Sequence, residues 1–183
     1  MKYFYLIGLV LIGIAGNAQS TKELNVVDGF SIFKFGTITL DTKDIQKDST
    51  FLTNGKRYAV YHYSGDCLKS IFNVQVSDVS LCFYQDQLAK IVIKLGANSN
   101  NYTLEEFNRV QQAFEAQYGK HTGKLAMSGA VLLGGFRWHG KKHLLEHTRF
   151  TSTSKKKSGR WTVGELSFEN KELSENDTDP KTR

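Results

Sequence analysis

Five consecutive residues, His143-Leu144-Leu145-Glu146-His147, have the spacing most suggestive of chemistry in this chain. H-x-x-E-H is the order of inverted zinc peptidases, in which two imidazoles hold the ion and the carboxylate activates water. That chemistry needs a helix to bring both rings to one face. The segment follows a Gly140-Lys141-Lys142 turn, however, and reads as a strand. On a strand His143 and His147 share a face but stand about 13 Å apart, too far for one metal. Two readings follow: a small metal-dependent hydrolase using His143, Glu146 and His147, or a hairpin strand with polar, solvent-facing histidines. His139 and His143 flank the turn and offer only two ligands for a surface metal. The chain has no nucleophile elbow and no phosphate loop, so the sequence specifies no catalytic residue, cofactor or resident metal.

Other residue groups carry weaker chemistry. Lys155-Lys156-Lys157 with Arg160 and Trp161 forms a basic loop beside an aromatic, suited to a phosphate or an acidic glycan. Tyr58, Tyr61, Tyr63 and Tyr84 fall on strands expected to be neighbours; two belong to a core and two are free to line a shallow groove for a peptide or sugar. Cys67 and Cys82 leave two options open. A bridge would close a loop worth about 3 kcal/mol in the chain-entropy model, and the alternative is two separate thiols. Glu105 and Glu106 sit at a helix start, where capping explains them. Asn101-Tyr102-Thr103 and Asn176-Asp177-Thr178 match the glycosylation sequon, which has no meaning in a bacterial protein.

Several elements are needed to position these groups. Phe30 to Phe35 alternates as a first strand ended by Gly36, and Thr37 to Gln46 suits a short helix, although Thr37-Ile38-Thr39-Leu40 within it is equally strand-like. Arg57–Tyr63 is an aromatic strand. Val79, Leu81 and Phe83 alternate with Ser80, Cys82 and Tyr84; a turn at Gln85-Asp86-Gln87 leads into Leu88–Leu95, giving a hairpin wet on one side. Thr103 to Tyr118 is the helix: Thr103 and Glu106 form a capping box, and Leu104, Phe107, Val110, Phe114 and Tyr118 form one apolar stripe stopped at Gly119. Strands follow at Ala130–His139, interrupted by Gly134-Gly135, and at His143–Phe150 and Arg160–Phe168, with an exposed loop at Thr151–Ser158. Leu81–Leu88 echoes Leu166–Leu173, with Leu, Phe and Leu in register, as a tandem αβββ duplication would produce.

Lys2 precedes an uncharged apolar run that ends in Gly16-Asn17-Ala18, a signal-peptidase site with cleavage between Ala18 and Gln19. The run is shorter than the ~20 residues that span a bilayer. Residues 1–18 are therefore expected to be a signal peptide, 19–171 a single domain, and 172–183 a disordered polar tail. The mature chain keeps 23 Lys+Arg against 18 Asp+Glu, a net charge of +5, mildly favourable for anionic partners.

Ala18-Gln19, the Phe30–Gly36 segment, Leu81 to Ile91, the Tyr118-Gly119-Lys120 helix end and the strand bearing Trp138 together resemble small exported proteins of Bacteroidota-type bacteria. The arrangement is also similar to the helix-plus-three-strand modules of outer-membrane assembly lipoproteins and β-lactamase-inhibitor proteins. The resemblance implies envelope residence and protein contact, and transfers no catalytic residue. The expected molecule is an α+β domain, an antiparallel sheet packed against one long amphipathic helix, with a tandem αβββ arrangement as the variant. It would be periplasmic or secreted, and would act as a non-enzymatic binding or envelope-accessory module. Its partner would be another envelope protein or an anionic glycan, with neither nucleic acid nor stable membrane insertion after cleavage.

Overall fold

The computed structural model describes residue 24 and residues 28–38, 43–53, 55–96, 101–125, 132–154 and 157–175. The leader with its Ala18–Gln19 junction, Lys155, Lys156 and residues 176–183 lie outside these. In chain order the elements are β1 (Gly29–Phe30), β2 (Phe33–Lys34), β3 (Ile45–Thr53), β4 (Lys56–Tyr63), β5 (Ser70–Ile71), β6 (Val74–Tyr84), β7 (Gln87–Leu95), α1 (Leu104–Tyr118), β8 (Gly123–Lys124), β9 (Leu132–His139), β10 (His143–Ser154), β11 (Lys157–Asn170) and α2 (Lys171–Glu175). β1 and β2 form a separate small hairpin. The others form one nine-stranded sheet in the order β3-β4-β6-β7-β11-β10-β9-β8, with β5 alongside β6.

This corrects the expected fold class. Strand makes up 59% and helix 19% of the described structure, so the protein is a predominantly β domain built on a nine-stranded antiparallel sheet. It is not an α+β sheet packed against a long helix. The difference comes from segments whose local signals were weak and whose pairing decides them. Ile45 and Gln46, expected in a short helix, begin β3 opposite Tyr63 and His62. Thr151–Ser154, expected as loop, extends β10 along β11 until Ser154 meets Lys157. The first strand is two residues long: Phe30 pairs with Phe33 across a turn in which Ser31 has φ 57°, and the segment folds back on itself. The tandem αβββ arrangement is not found. Among the described residues no α-helix precedes the first set of strands, and the echoed segments differ. Leu81–Leu88 is a strand, turn and strand, whereas Leu166–Leu173 runs from β11 into α2.

Two meanders, β4-β6-β7 and β9-β10-β11, meet where β7 pairs antiparallel with β11, from Leu95↔Gly164 to Lys90↔Glu169. Alternation then sorts the side chains. Leu81, Ile91, Ile93, Leu145, His147, Leu166 and Phe168 fall in the set that faces inward, and each is at most 2% exposed. Full burial of each aliphatic side chain is worth roughly 1.5–3 kcal/mol. Three pieces of chain share the covering of this face. α1 supplies Phe107, Val110 and Phe114; the N-terminal segment supplies Phe30, stacked on Phe168 at 4.3 Å, and Phe33, edge-on to Tyr63; the turn before β6 supplies Phe72, edge-on to Phe114.

α1 has the termini read from the sequence. The Thr103 hydroxyl accepts from the Glu106 amide while the Glu106 carboxylate accepts from the Thr103 amide, and Gly119 closes the helix at φ 81°. Leu104 leaves the expected stripe and is 59% exposed. Gly134-Gly135 does not interrupt β9; Gly134 lies beneath the Phe107 ring. Residues 172–175, expected in the tail, belong to α2, whose Leu173 packs on Tyr58, Cys82, Tyr84 and Ala89 on the sheet's outer face.

Candidate functional site

The H-x-x-E-H residues lie on β10, and strand geometry parts them. Glu146 turns outward and accepts from Arg137 Nε at 2.7 Å. His143 and His147 turn inward and are 6% and 0% exposed, so they are not the solvent-facing histidines expected. The His143 ring stacks on Phe35 at 5.3 Å, and its Nδ1 lies 3.2 Å from the Leu24 carbonyl. Burial lowers its pKa, opposed by that carbonyl. His139 takes a different neighbour, with its Nε2 2.8 Å from Lys171 Nζ. Among the described residues no group of three His, Cys, Asp or Glu side chains converges on a point where a metal could sit.

His147 is instead the centre of a buried polar chain. Its Nδ1 is 3.2 Å from Gln111 Oε1, and its Nε2 is 2.9 Å from the Tyr102 hydroxyl. An amide oxygen can only accept, so Nδ1 carries the proton and Nε2 accepts from Tyr102. Gln111 Nε2 then donates to Glu115 Oε1 at 3.1 Å, and His121 Nδ1 reaches the same oxygen at 2.7 Å. Burial lowers the His147 pKa to about 3 and pushes the Tyr102 hydroxyl far above its usual value. Glu115 is held below the usual carboxylate range chiefly by His121. Among the described residues no buried side-chain nitrogen or oxygen lacks a partner, and the chain joins the Tyr102 loop, β10 and α1. It fixes how the helix sits on the sheet, and His147 is too deep to meet a substrate. Sequence reading missed this chain, although Gln111 gave a signal: it falls on the apolar side of α1 between Phe107 and Phe114.

Cys67 and Cys82 are separate free thiols in this structure rather than a bridge. Cys82 packs with Tyr58, Tyr84 and Ala89 on the outer face, and burial raises its pKa to about 11. Cys67 is exposed in the turn after β4, where its amide donates to the Tyr63 hydroxyl at 3.3 Å. Of the basic loop, Lys155 and Lys156 lie outside the described residues, and Lys157, Arg160 and Trp161 belong to β11.

The four tyrosines divide between the two faces. Tyr61 and Tyr63 turn inward, Tyr61 edge-on to Phe83 at 5.2 Å. Tyr58 and Tyr84 turn outward, with ring centroids 5.5 Å apart. Phe51 on β3 stacks on Tyr58 at 5.0 Å with 9° between the planes, and is 38% exposed. The Lys56 ammonium sits over Tyr84, 5.2 Å from the ring centre, and donates to the Ser174 carbonyl. Lys90 faces Glu169 at 3.6 Å. Phe51, Lys56, Tyr58, Lys90, Glu169 and Ser174 line an open cleft of about 270 Å³. Among the described residues Lys56 has no carboxylate within ion-pair distance, whereas His62, Lys90, Lys94 and Arg137 on the same face each have one. Tyr58 also has a raised pKa, from burial first and then the nearby Glu169 charge. Phe51 was not foreseen as a site residue because β3 itself was not, and Lys56 begins β4 one residue before the strand read from the sequence.

Two other clefts are more polar. One of about 370 Å³ lies beside Phe35 and His143, where Lys34, Lys142, Asp28 and Glu172 balance in charge. The other, about 330 Å³, is lined by His62 and Asp78, whose Nδ1–Oδ1 distance is 2.7 Å; Asp78 also accepts from Lys94 at 3.0 Å. In the first, Lys142 pairs with Glu172 at 3.5 Å; of these three clefts, the aromatic one sets a stacked ring pair beside Lys56.

No family model, no curated protein and no solved structure matches this chain.

Proposed function

We propose that the protein is an exported, non-enzymatic binding module of the bacterial envelope that engages its partner through the outer face of the sheet. The leader pattern ending at Ala18–Gln19 supports export. Against a peptidase reading, His143 and His147 are tied into the core through separate partners and Glu146 is turned to Arg137. The observation that carries the proposal is the cleft at Phe51, Lys56 and Tyr58, where an ammonium with no ion-pair partner among the described residues stands beside the partly exposed Phe51. Its lining sets two aromatic side chains among polar and charged ones, and polar groups placed beside apolar surface are what orient a ligand.

The test has two parts. Fractionated cells should hold the protein outside the cytoplasm with Gln19 as its first residue; Met1 on protein from the cytosol defeats the export half. Immobilised mature protein should retain envelope material that a Phe51→Ala/Lys56→Gln double variant does not. Equal retention by the two, or none by either, defeats the binding half.

A further inference from the structure

Resting on that reading, we propose that the occupant of the cleft is an acidic sugar unit, its ring face on Phe51 and its anionic group on Lys56.

Three features select this chemistry. The first is the platform. Phe51 lies parallel on the buried Tyr58 ring, and the Phe51 residue is 38% exposed. A flat aromatic face suits the C–H face of a pyranose, and it fits an extended peptide less well because it offers no run of backbone donors and acceptors. The second is charge. Lys56 is neutralised by no carboxylate among the described residues; it is held by a carbonyl and the Tyr84 ring, which fix its position and leave its charge uncompensated. Lys90 and Glu169 cancel one another, so the lining of this cleft is left with one positive charge. The third is size. About 270 Å³ lies just under the ~300–1,000 Å³ range of drug-sized ligand sites, which suits a single ring with a carboxylate. Glu169 and the Tyr58 hydroxyl supply an acceptor and a donor for ring hydroxyls along the same wall. A neutral sugar would leave Lys56 without a counter-ion. A bare anion would leave the rings uncovered.

The experiment is calorimetric titration of the full mature chain with trigalacturonate and with its methyl ester. The acid should bind, and the ester at least about tenfold more weakly. Raising salt from about 50 mM to about 500 mM should weaken the acid several-fold, since exposed charges are screened over a few ångströms at such strength. Lys56→Gln should cost about tenfold and flatten the salt dependence. Phe51→Ala should weaken binding but leave the salt dependence in place. Both sites are near the surface of an edge strand and its turn, and unchanged melting temperatures show that the variants are folded. Equal binding of acid and ester, or wild-type affinity in Lys56→Gln, overturns the ligand class. So does the absence of sugar binding. If envelope material is nevertheless retained in a cleft-dependent way, the binding-module reading survives; if it is not, both fall.

Discussion

Acid should weaken this fold through His147 before most carboxylates begin to titrate. In the unfolded chain its imidazole takes up a proton near pH 6.5, whereas in the core burial defers that uptake to about pH 3. Between those values the unfolded state binds the extra proton, so stability is complete above about pH 7 and is lost as pH falls. Each tenfold in proton affinity is worth about 1.4 kcal/mol, giving roughly 5 kcal/mol over the whole interval. About 2 kcal/mol of it is gone by about pH 5, a large part of the 5–15 kcal/mol that domains possess. His143, also lowered by burial, acts in the same direction. Glu165, raised by burial, opposes it, because its folded form takes up a proton earlier as pH falls. Urea unfolding of wild type and His147→Gln between about pH 8 and pH 5 separates these terms, since only the His147 term differs between the two proteins. Glutamine keeps one donor and one acceptor for Gln111 and Tyr102. The variant should be about 1–3 kcal/mol less stable at pH 8, with a dependence on pH about 2 kcal/mol shallower by pH 5. Parallel curves for the two proteins would refute the reasoning.

Three further outcomes are open to measurement. A Cβ on Gly164 would stand 2.4 Å from the Tyr102 ring, so Gly164→Ala should destabilise by about 1–3 kcal/mol in denaturant and disturb the Tyr102–His147 bond; an unchanged midpoint would contradict that packing. Thr103→Ala removes the acceptor for the Glu106 amide and should cost about 1 kcal/mol, read as a shift in urea midpoint at constant m. With a thiol reagent at neutral pH, Cys67 should label at once and Cys82 only on unfolding, because Cys82 is buried and its pKa is near 11; fast labelling of both would be inconsistent with the outer-face packing.

The parts of the fold that were legible share a property: their signals are local. The β6–β7 hairpin alternates cleanly and turns on Gln85 and Asp86, both at positive φ. The capping box and Gly119 mark α1 without help from tertiary structure. β3 was not legible because eight of its nine residues are exposed, so no burial pattern marked it and its pairing with β4 alone makes it a strand. The same gap hid Phe51, and with it most of the cleft. The fate of the H-x-x-E-H segment was half legible. Its turn and β-rich context gave the strand, but the burial of both imidazoles depends on Gln111, Tyr102 and Leu24, which lie 36, 45 and 119 residues away. The fold class was misread because the extra length of β10 and β11 sits in Thr-, Ser- and Lys-rich sequence that resembles loop.

The stacking of Phe30 on Phe168 also bears on the order of events along a growing or threading chain. Phe30 waits for a partner 138 residues later, and β7 has no second neighbour until β11 arrives. Contacts this distant form late and make for slow folding. The architecture delays its own closure, and a chain cut short before Lys157 should never reach it.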